Sequence, residues 1–404
     1  MDLAQVGDRI RRERERAGYN QRHLGDLTKL SQTTLHRIET GDKPNLTLAE
    51  LDRIATGLGI PLRLLTRGNP VRERVQVAAR INQLVEDDRE QALRQCVDML
   101  ELDARLDVAG APPGEHRQQR RPAGIDLPKE SDQPERQGRD LARAVRVRLG
   151  LGVAPIADVD ELIEQLTGVD TAVVELPATV DGLTLTDPER DTTVVAVRAC
   201  NVPERQRFTF GHELGHLLLG DGAAEHQIGD ERTPGEQRCQ AFARHLLAPQ
   251  EGIRSWLDSS PTAETAAEPG SMDERTAALM ARHFRVSLPV ILIQLEQMSL
   301  ISPAQKHALK GPTGVELAQR YGWGPAYEQE QAAAGGVRPP RRILERATLA
   351  YRENRIGVRV LAALEGRQVR ETETALAEAG ITPVPPAVRR ADLGRLLGRA
   401  RAAR

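Results

Sequence analysis

A stretch without hydrophobic periodicity, residues 107–137, interrupts the 404-residue chain. Its central run, from Gly110 to Gln137, is rich in Pro, Gly, Gln and charged residues, the composition of a flexible linker. Such a segment adds little to a packed core, so one core cannot span the whole chain. The length itself predicts about two or three domains.

The patterns on the two sides of this linker predict a mainly α chain with an α+β part. Residues 1–68 have the spacing of five short helices, and residues 69–106 that of a charged, amphipathic helical connector or dimerisation segment. Residues 138–302 combine helices with strand-like runs at 171–176 and 192–197. Residues 303–386 are predicted to be a helical C-terminal region, and residues 387–404 an arginine-rich tail that is either solvated or in contact with DNA or an acidic partner.

Composition narrows the class of protein. The chain is 39% hydrophobic, 28% charged and only 2% aromatic, which indicates aliphatic cores and argues against stacking on single-stranded bases. The three cysteines, Cys96, Cys200 and Cys239, form no C-x-x-C pair, which argues against disulfides and a cysteine zinc knuckle. The charged start excludes a secretory signal, and no apolar run approaches the roughly 18 residues of a membrane helix. We therefore expect a cytoplasmic protein with no membrane segment.

Residues 21–41 have the pattern of a helix-turn-helix. A first helix ends near Leu30, and Ser31 is a suitable N-cap for a second helix that ends near Gly41. Leu35 and Ile38 face inward on that second helix. The outward side chains can hydrogen-bond bases or phosphates; they are Gln32, Thr33, His36 and Arg37.

This N-terminal segment resembles the lambda-repressor-like (XRE) family. The resemblance lies in Gly18-Tyr19-Asn20-Gln21, in Leu30-Ser31-Gln32-Thr33-Thr34-Leu35-His36-Arg37-Ile38-Glu39, and in Leu58-Gly59-Ile60. It implies a phosphate contact from Gln21, DNA contacts from Gln32, Thr33, Thr34 and Arg37, and a structural pair between Arg14 and Glu39. Because one helix reads few base pairs, we expect a homodimer on a two-fold symmetric, double-stranded DNA operator. The alternative is a small helical bundle used only for protein contacts.

A metal-binding pattern lies in the second half of the chain. His212 and His216, four residues apart on a predicted helix that begins at Pro203 and ends at Gly220, point the same way, and Glu213 between them is placed to act on a water. The motif alone is only moderately specific. Each histidine taken singly is more often an ordinary buried one.

A second predicted helix, residues 235–247, offers the third ligand. Its apolar stripe, extended back by one turn, reaches Glu236, and a carboxylate on a buried face is costly unless it is paired or bound to a metal. Gln240, one turn further, is predicted to hydrogen-bond a ligand. Glu236 also suits a helix N-terminus without any metal. Competing third ligands lie in the loop between the helices; they are Glu225, His226, Asp230 and Glu231.

These two segments closely resemble the ImmA/IrrE family of metallo-endopeptidases. The resemblance rests on residues 205–216 and 236–249, and departs from the family pattern at Cys239, Gln240 and Ala248. It implies a zincin-like α+β peptidase domain with Zn²⁺ as cofactor, Glu213 as catalytic base, and a repressor, a toxin-like partner or the chain itself as substrate. Manganese in place of zinc stays open. So do two other functions: a catalytically silent fold used as a ligand or stress sensor, and an antitoxin-like binding module.

The strand at 194–197 is a candidate substrate-binding edge. An extended or disordered loop of a substrate would add to it as a further β-strand.

Overall fold

The computed structural model describes residues 3–60, 62–67, 76–81, 86–111, 125, 133–220, 233–259 and 272–384. Two compact units make up the chain, Met1–Arg74 and Val75–Arg404. The described residues form helices and one four-stranded sheet, which confirms the mainly α chain with an α+β part. Most of the predicted linker at 107–137 and the whole of the predicted tail at 387–404 lie outside the described residues.

The first unit contains the five predicted helices: α1 (Leu3–Arg16), α2 (Gln21–Thr28), α3 (Gln32–Glu39), α4 (Leu48–Gly57) and α5 (Leu62–Arg67). One apolar residue or more from each helix enters a common core, which includes Val6, Ile10, Leu24, Leu35, Ile38, Ile54 and Leu65. Side-chain caps begin three of the helices. Asn20, Ser31 and Thr47 each accept a hydrogen bond from a backbone N–H in the first turn.

The second unit begins with a strand and contains the remaining elements. In chain order these are β1 (Gln76–Ile81), α6 (Glu86–Val108), α7 (Pro134–Arg148), α8 (Val159–Thr167), β2 (Asp170–Val174), β3 (Val180–Asp187), β4 (Thr192–Arg198), α9 (Pro203–Leu219), α10 (Pro234–Leu247), α11 (Gln250–Ser259), α12 (Glu274–Phe284), α13 (Leu288–Gln297), α14 (Pro303–Leu309), α15 (Gly314–Tyr321), α16 (Gly324–Gly335), α17 (Arg341–Arg352), α18 (Val358–Glu365) and α19 (Val369–Glu378).

The sheet has the strand order β1-β3-β4-β2. β3 pairs antiparallel with β1 on one side and with β4 on the other, and β4 pairs parallel with β2. The strands predicted at 171–176 and 192–197 correspond to β2 and β4. β3 was not predicted. Leu183 and Leu185 alternate with threonines as in a strand, but Asp181 and Gly182 near its start are residue types that strands rarely contain.

The prediction that residues 69–106 form a helical connector is wrong for its first part. Residues 76–81 form β1, not a helix. Val77 and Ile81 are four residues apart, a spacing that fits one turn of a helix and equally two repeats of a strand, so their pattern does not separate the two. Pairing with β3 determines that these residues form a strand. This pairing joins segments about 100 residues apart, so the local sequence does not indicate it.

The second part of that segment, α6, is a core element and not a free connector. Both faces of β4 are buried: Val195 and Val197 join the core that contains α9, and Val194 and Ala196 on the other face are equally buried. The sheet therefore needs cover on both faces. α6 packs against β3 and β4, and its own Cys96 and Leu100 are fully buried.

A buried charge cluster joins α6 to helix α17 and to Arg190, between β3 and β4. Asp103 of α6 is fully buried and contacts three guanidinium groups, those of Arg190, Arg342 and Arg346. Its Oδ1 lies 3.0 Å from Nη1 of Arg342, and its Oδ2 lies 2.8 Å from Nη2 of Arg190. Burial alone would raise the pKa of Asp103, but the three cations hold it below its ordinary value. The helices after residue 302 thus belong to the same compact unit as the sheet.

No single helix among the described residues is long and apolar enough to cross a membrane. One bent pair, α12 with α13, meets the length and composition criteria when the two helices are taken together.

Candidate metal centre

Helix α9 carries the His-Glu-x-x-His motif, and its bounds follow the prediction. Pro203 occupies the first turn, where a missing N–H costs nothing, and Gly220 ends the helix in a left-handed conformation with φ of 74°. Phe210 and Leu214 face the main core. His212 and Glu213 are buried as well, at 0% and 2% exposure, while the His216 side chain is 17% exposed.

Helix α10 approaches α9 very closely at Gly215. A Cβ at this glycine would lie 3.1 Å from Cδ1 of Phe242 and 3.2 Å from Cα of Cys239, closer than about nine in ten real Cβ contacts. A larger residue here would require Phe242 or Cys239 to shift by a few tenths of an ångström. The approach brings the first turn of α10 beside the histidines, and Thr233 caps that turn by accepting the N–H of Glu236 at 3.3 Å.

The three predicted ligands converge. Nε2 of His212 lies 3.2 Å from Oε2 of Glu236, and Nε2 of His216 lies 3.1 Å from Oε1 of the same carboxylate. The two Nε2 atoms are 3.0 Å apart. All three ligand atoms lie within 4.8 Å of one another, and this is the single group of three or more potential ligands found among the described residues.

The chemistry of these donors fits a metal ion. Two imidazole nitrogens and one carboxylate oxygen form a ligand set that zinc accepts in catalytic sites, with a fourth position left for water or substrate. Glu236 has a pKa well below its ordinary range: burial opposes this, but the hydrogen bonds with both histidines outweigh burial. For His216 burial lowers the pKa, yet the contacts with Cys239 and Glu236 raise it to about 11. The three side chains shift one another's pKa because they lie this close together.

Glu213 is held beside this point by a residue that the sequence did not indicate. Thr184 of β3 donates its hydroxyl to Oε2 of Glu213 at 2.8 Å. Gly182, two residues earlier, leaves room for α9, because a Cβ there would lie 2.7 Å from Cγ2 of Thr209. No local signal marks Thr184, since its role depends on the pairing of a strand with a helix that is distant in sequence.

Gln240 lines a groove between α7 and α10, together with Gln133, Arg136 and Arg244. Among the described hydrogen bonds none joins it to His212, His216 or Glu236, so its role beside the ligands stays a prediction. The competing ligands in the loop between the helices, Glu225, His226, Asp230 and Glu231, lie outside the described residues.

The hypothesis that 194–197 offers a substrate-binding edge is wrong. These residues belong to β4, which is paired along both sides, with β3 and with β2. A strand whose backbone groups are already paired on both sides has no edge to offer.

In the first unit, α2 and α3 form the predicted helix-turn-helix. Lys29 turns the chain with a left-handed φ of 55°, and Ser31 caps α3 by accepting the N–H of Thr34 at 3.1 Å. Gln32, Thr33 and Arg37 are exposed on α3, and Thr34 is partly exposed. These four positions are available to DNA, while Leu35 and Ile38 hold the opposite face in the core.

The structural pair implied by the resemblance is present. Nε of Arg14 donates to Oε1 of Glu39 at 2.6 Å, and Nη2 donates to Oε2 at 3.0 Å. Gln21 joins this pair, because its side-chain amide donates to Oε2 of Glu39 at 2.8 Å. Its predicted phosphate contact is not tested by this arrangement.

Comparison with known proteins matches both halves of this description. Residues 5–67 match the model of a helix-turn-helix domain, and residues 168–296 match that of the IrrE N-terminal-like domain. The chain is 35% identical over 163 residues to the radiation response metalloprotease IrrE of Deinococcus radiodurans, a match that covers 38% of this chain and 47% of that protein. It is 36% identical over 132 residues to the protein of the same name from Deinococcus deserti, covering 28% and 46% respectively. The chain thus spans about half the length of these relatives. Its N-terminal segment is thus similar to a helix-turn-helix domain, and its central segment to the IrrE N-terminal-like domain.

Proposed function

We propose that this protein is a cytoplasmic transcriptional regulator that binds an operator through its helix-turn-helix domain and cleaves a protein through a zinc-dependent endopeptidase site. The substrate is a repressor, a toxin-like partner or the chain itself, and cleavage changes gene expression. The observation that carries the proposal is the convergence of His212, His216 and Glu236 within 4.8 Å, next to the buried carboxylate of Glu213.

The ligand residues would hold the ion, and Glu213 would do the proton chemistry. When bound, zinc supplies a Lewis acid that polarises a peptide carbonyl and lowers the pKa of a water. Thr184 donates to Oε2 of Glu213 and so fixes the carboxylate in place. Oε1 is then the atom that takes the proton from the attacking water and passes it to the leaving amine.

Binding of DNA is proposed to use the exposed face of α3. Gln32, Thr33, Thr34 and Arg37 lie on it, and Gln21 is expected to reach the phosphate backbone. A homodimer would place two such helices on a two-fold symmetric site.

The test compares three full-length variants with the unmodified chain. Glu213→Gln removes the base but no ligand, Glu236→Gln removes a ligand, and Glu328→Gln changes an exposed glutamate on α16 as a matched control. Metal content is measured by mass spectrometry after dialysis. Proteolysis is measured on β-casein, on the chain itself, and by labelling new N-termini in a cell extract.

We expect one zinc per chain in the unmodified protein, in Glu213→Gln and in the control. Cleavage should be absent in Glu213→Gln, and Glu236→Gln should lose both zinc and cleavage. Equal cleavage by Glu213→Gln and the unmodified chain would contradict the proposed mechanism. Zinc binding without cleavage of any probe by the unmodified chain would favour a silent fold used as a sensor.

A further inference from the structure

The strand β3 runs alongside the catalytic carboxylate. Thr184 donates to Oε2 of Glu213, and a Cβ at Gly182 would lie 3.6 Å from Oε1 of the same group. A peptide whose scissile bond is to reach Glu213 must therefore pass close to β3. An extended peptide is bound most readily by adding to the edge of such a strand through backbone hydrogen bonds.

Only one edge of β3 faces away from the rest of the sheet. The other edge is paired with β4 from Gly182 to Asp187. At the opposite end of the sheet, the outer edge of β2 is partly paired, because Val173 and Arg338 exchange backbone hydrogen bonds at 2.8 Å. The outer edge of β3 is thus the place where an extended substrate would lie nearest to Glu213.

That edge is occupied by the chain itself. β1 pairs antiparallel with β3 in a register that sets Ala78 opposite Thr184 and Arg80 opposite Gly182. Thr184 and Gly182 are the β3 residues that approach the Glu213 carboxylate in the contacts given above. The backbone of β1 therefore takes the pairing positions that a substrate would need.

Several features of β1 favour its separation from β3. It is six residues long, it is an edge strand, and its register shifts between Arg80 and Ile81. Its departure would leave β3, β4 and β2 paired as they are. It begins two residues after Arg74, where the helix-turn-helix unit ends, so it is the first element of the peptidase unit to follow that unit in the chain.

We propose that Gln76–Ile81 is an intramolecular competitor that occupies the peptide-binding edge of β3, and that substrates are extended or disordered protein segments that replace it. This inference rests on the proposed peptidase function. An occupied edge lowers apparent substrate affinity by the fraction of chains in which β1 is released. The edge itself is empty only when β1 unpairs.

The first test locks β1 in place. Gln76 and Thr186 are register partners, and opposed residues of antiparallel strands lie within the Cα separation that a disulfide needs. The variant Gln76→Cys/Thr186→Cys is compared in oxidised and reduced form, with the unmodified chain and Thr186→Cys alone given the same treatment. A second variant, Val77→Pro/Ala79→Pro, weakens the pairing instead.

Two readouts keep this inference separate from the peptidase function. One is cleavage of fluorescein-labelled β-casein, a disordered protein. The other is binding of the same probe when each variant also carries Glu213→Gln, because binding does not require the base.

We expect the oxidised lock to reduce both cleavage and binding at least fivefold, reduction to restore them, and the proline variant to exceed the unmodified chain. If binding follows the lock but no variant cleaves, the competitor role stands and the peptidase function fails. Equal binding by locked, reduced and proline variants would overturn the competitor role, and so would a failure of every variant to bind the probe.

Discussion

The buried charge cluster around Asp103 makes a quantitative prediction for Asp103→Asn. The carboxylate of Asp103 is 0% exposed and contacts three guanidinium groups, those of Arg190, Arg342 and Arg346. Removing one partner of a buried ion pair costs about 3–5 kcal/mol of unfolding free energy, because charges are left uncompensated. Here Arg342 keeps its contact with Asp170, so we expect the lower part of that range, about 3 kcal/mol.

The measurement is urea unfolding followed by tryptophan fluorescence. The chain has two tryptophans, Trp256 and Trp323, and both pack against the core of the second unit, so the signal reports that unit alone. With a slope of about 3 kcal/mol per M, the midpoint should fall by about 1 M.

Asp107→Asn is the matched control. Asp107 contacts Arg346 and Arg190 as well, but its side chain is 46% exposed, so its loss should cost less than about 1 kcal/mol. Equal midpoints for Asp103→Asn and Asp107→Asn would refute the reasoning that burial of Asp103 makes its charge indispensable.

Three further predictions concern activity, pH and DNA. Thr184→Val removes the hydroxyl that holds Glu213 and should lower kcat for casein about tenfold while zinc content stays unchanged; unchanged kcat would show that the contact is not needed. Burial would raise the pKa of Glu135, but His245 and Arg244 of α10 lower it to about 2. The stabilisation that Glu135 contributes is therefore present above its ordinary pKa and is lost as pH falls through about 2. Tryptophan fluorescence in urea should therefore show a weaker loss of stability between about pH 5 and pH 2 in Glu135→Gln than in the unmodified chain. Gln32→Ala and Arg37→Ala should each weaken binding to a selected operator by about 1–3 kcal/mol in gel-shift titrations, and recovery of single half-sites by a monomer would contradict the two-fold symmetric model.

The convergence of His212, His216 and Glu236 could be predicted from sequence because each of these residues leaves a local trace. His212 and His216 share a helix face, and Glu236 stands on the apolar stripe of the next helix at a position where an unpaired carboxylate would be costly. The helix-turn-helix leaves similar traces in its caps and in its apolar spacing. Periodicity and the cost of burying charge were enough for both.

The remaining features depend on contacts between distant segments. Thr184 acquires its role only when β3 packs on α9, and Asp103 meets Arg346 across more than 200 residues. β1 is chosen over a helix by its partner strand, since its own apolar spacing fits either structure. Local spacing carries no record of such pairings, so they could not be derived from one sequence.

The close approach at Gly215 means that the spacing of the two helices beside the candidate metal centre depends in part on a residue that is not one of the predicted ligands. Its hydrogen atom acts as a spacer between two helices, one with the imidazoles and the other with the carboxylate. A methyl group there would require Phe242 or Cys239, on the helix that carries Glu236, to shift by a few tenths of an ångström without altering any ligand. Chains that share the motif should therefore be sorted by whether its second variable position is small, and not only by whether the ligands are present.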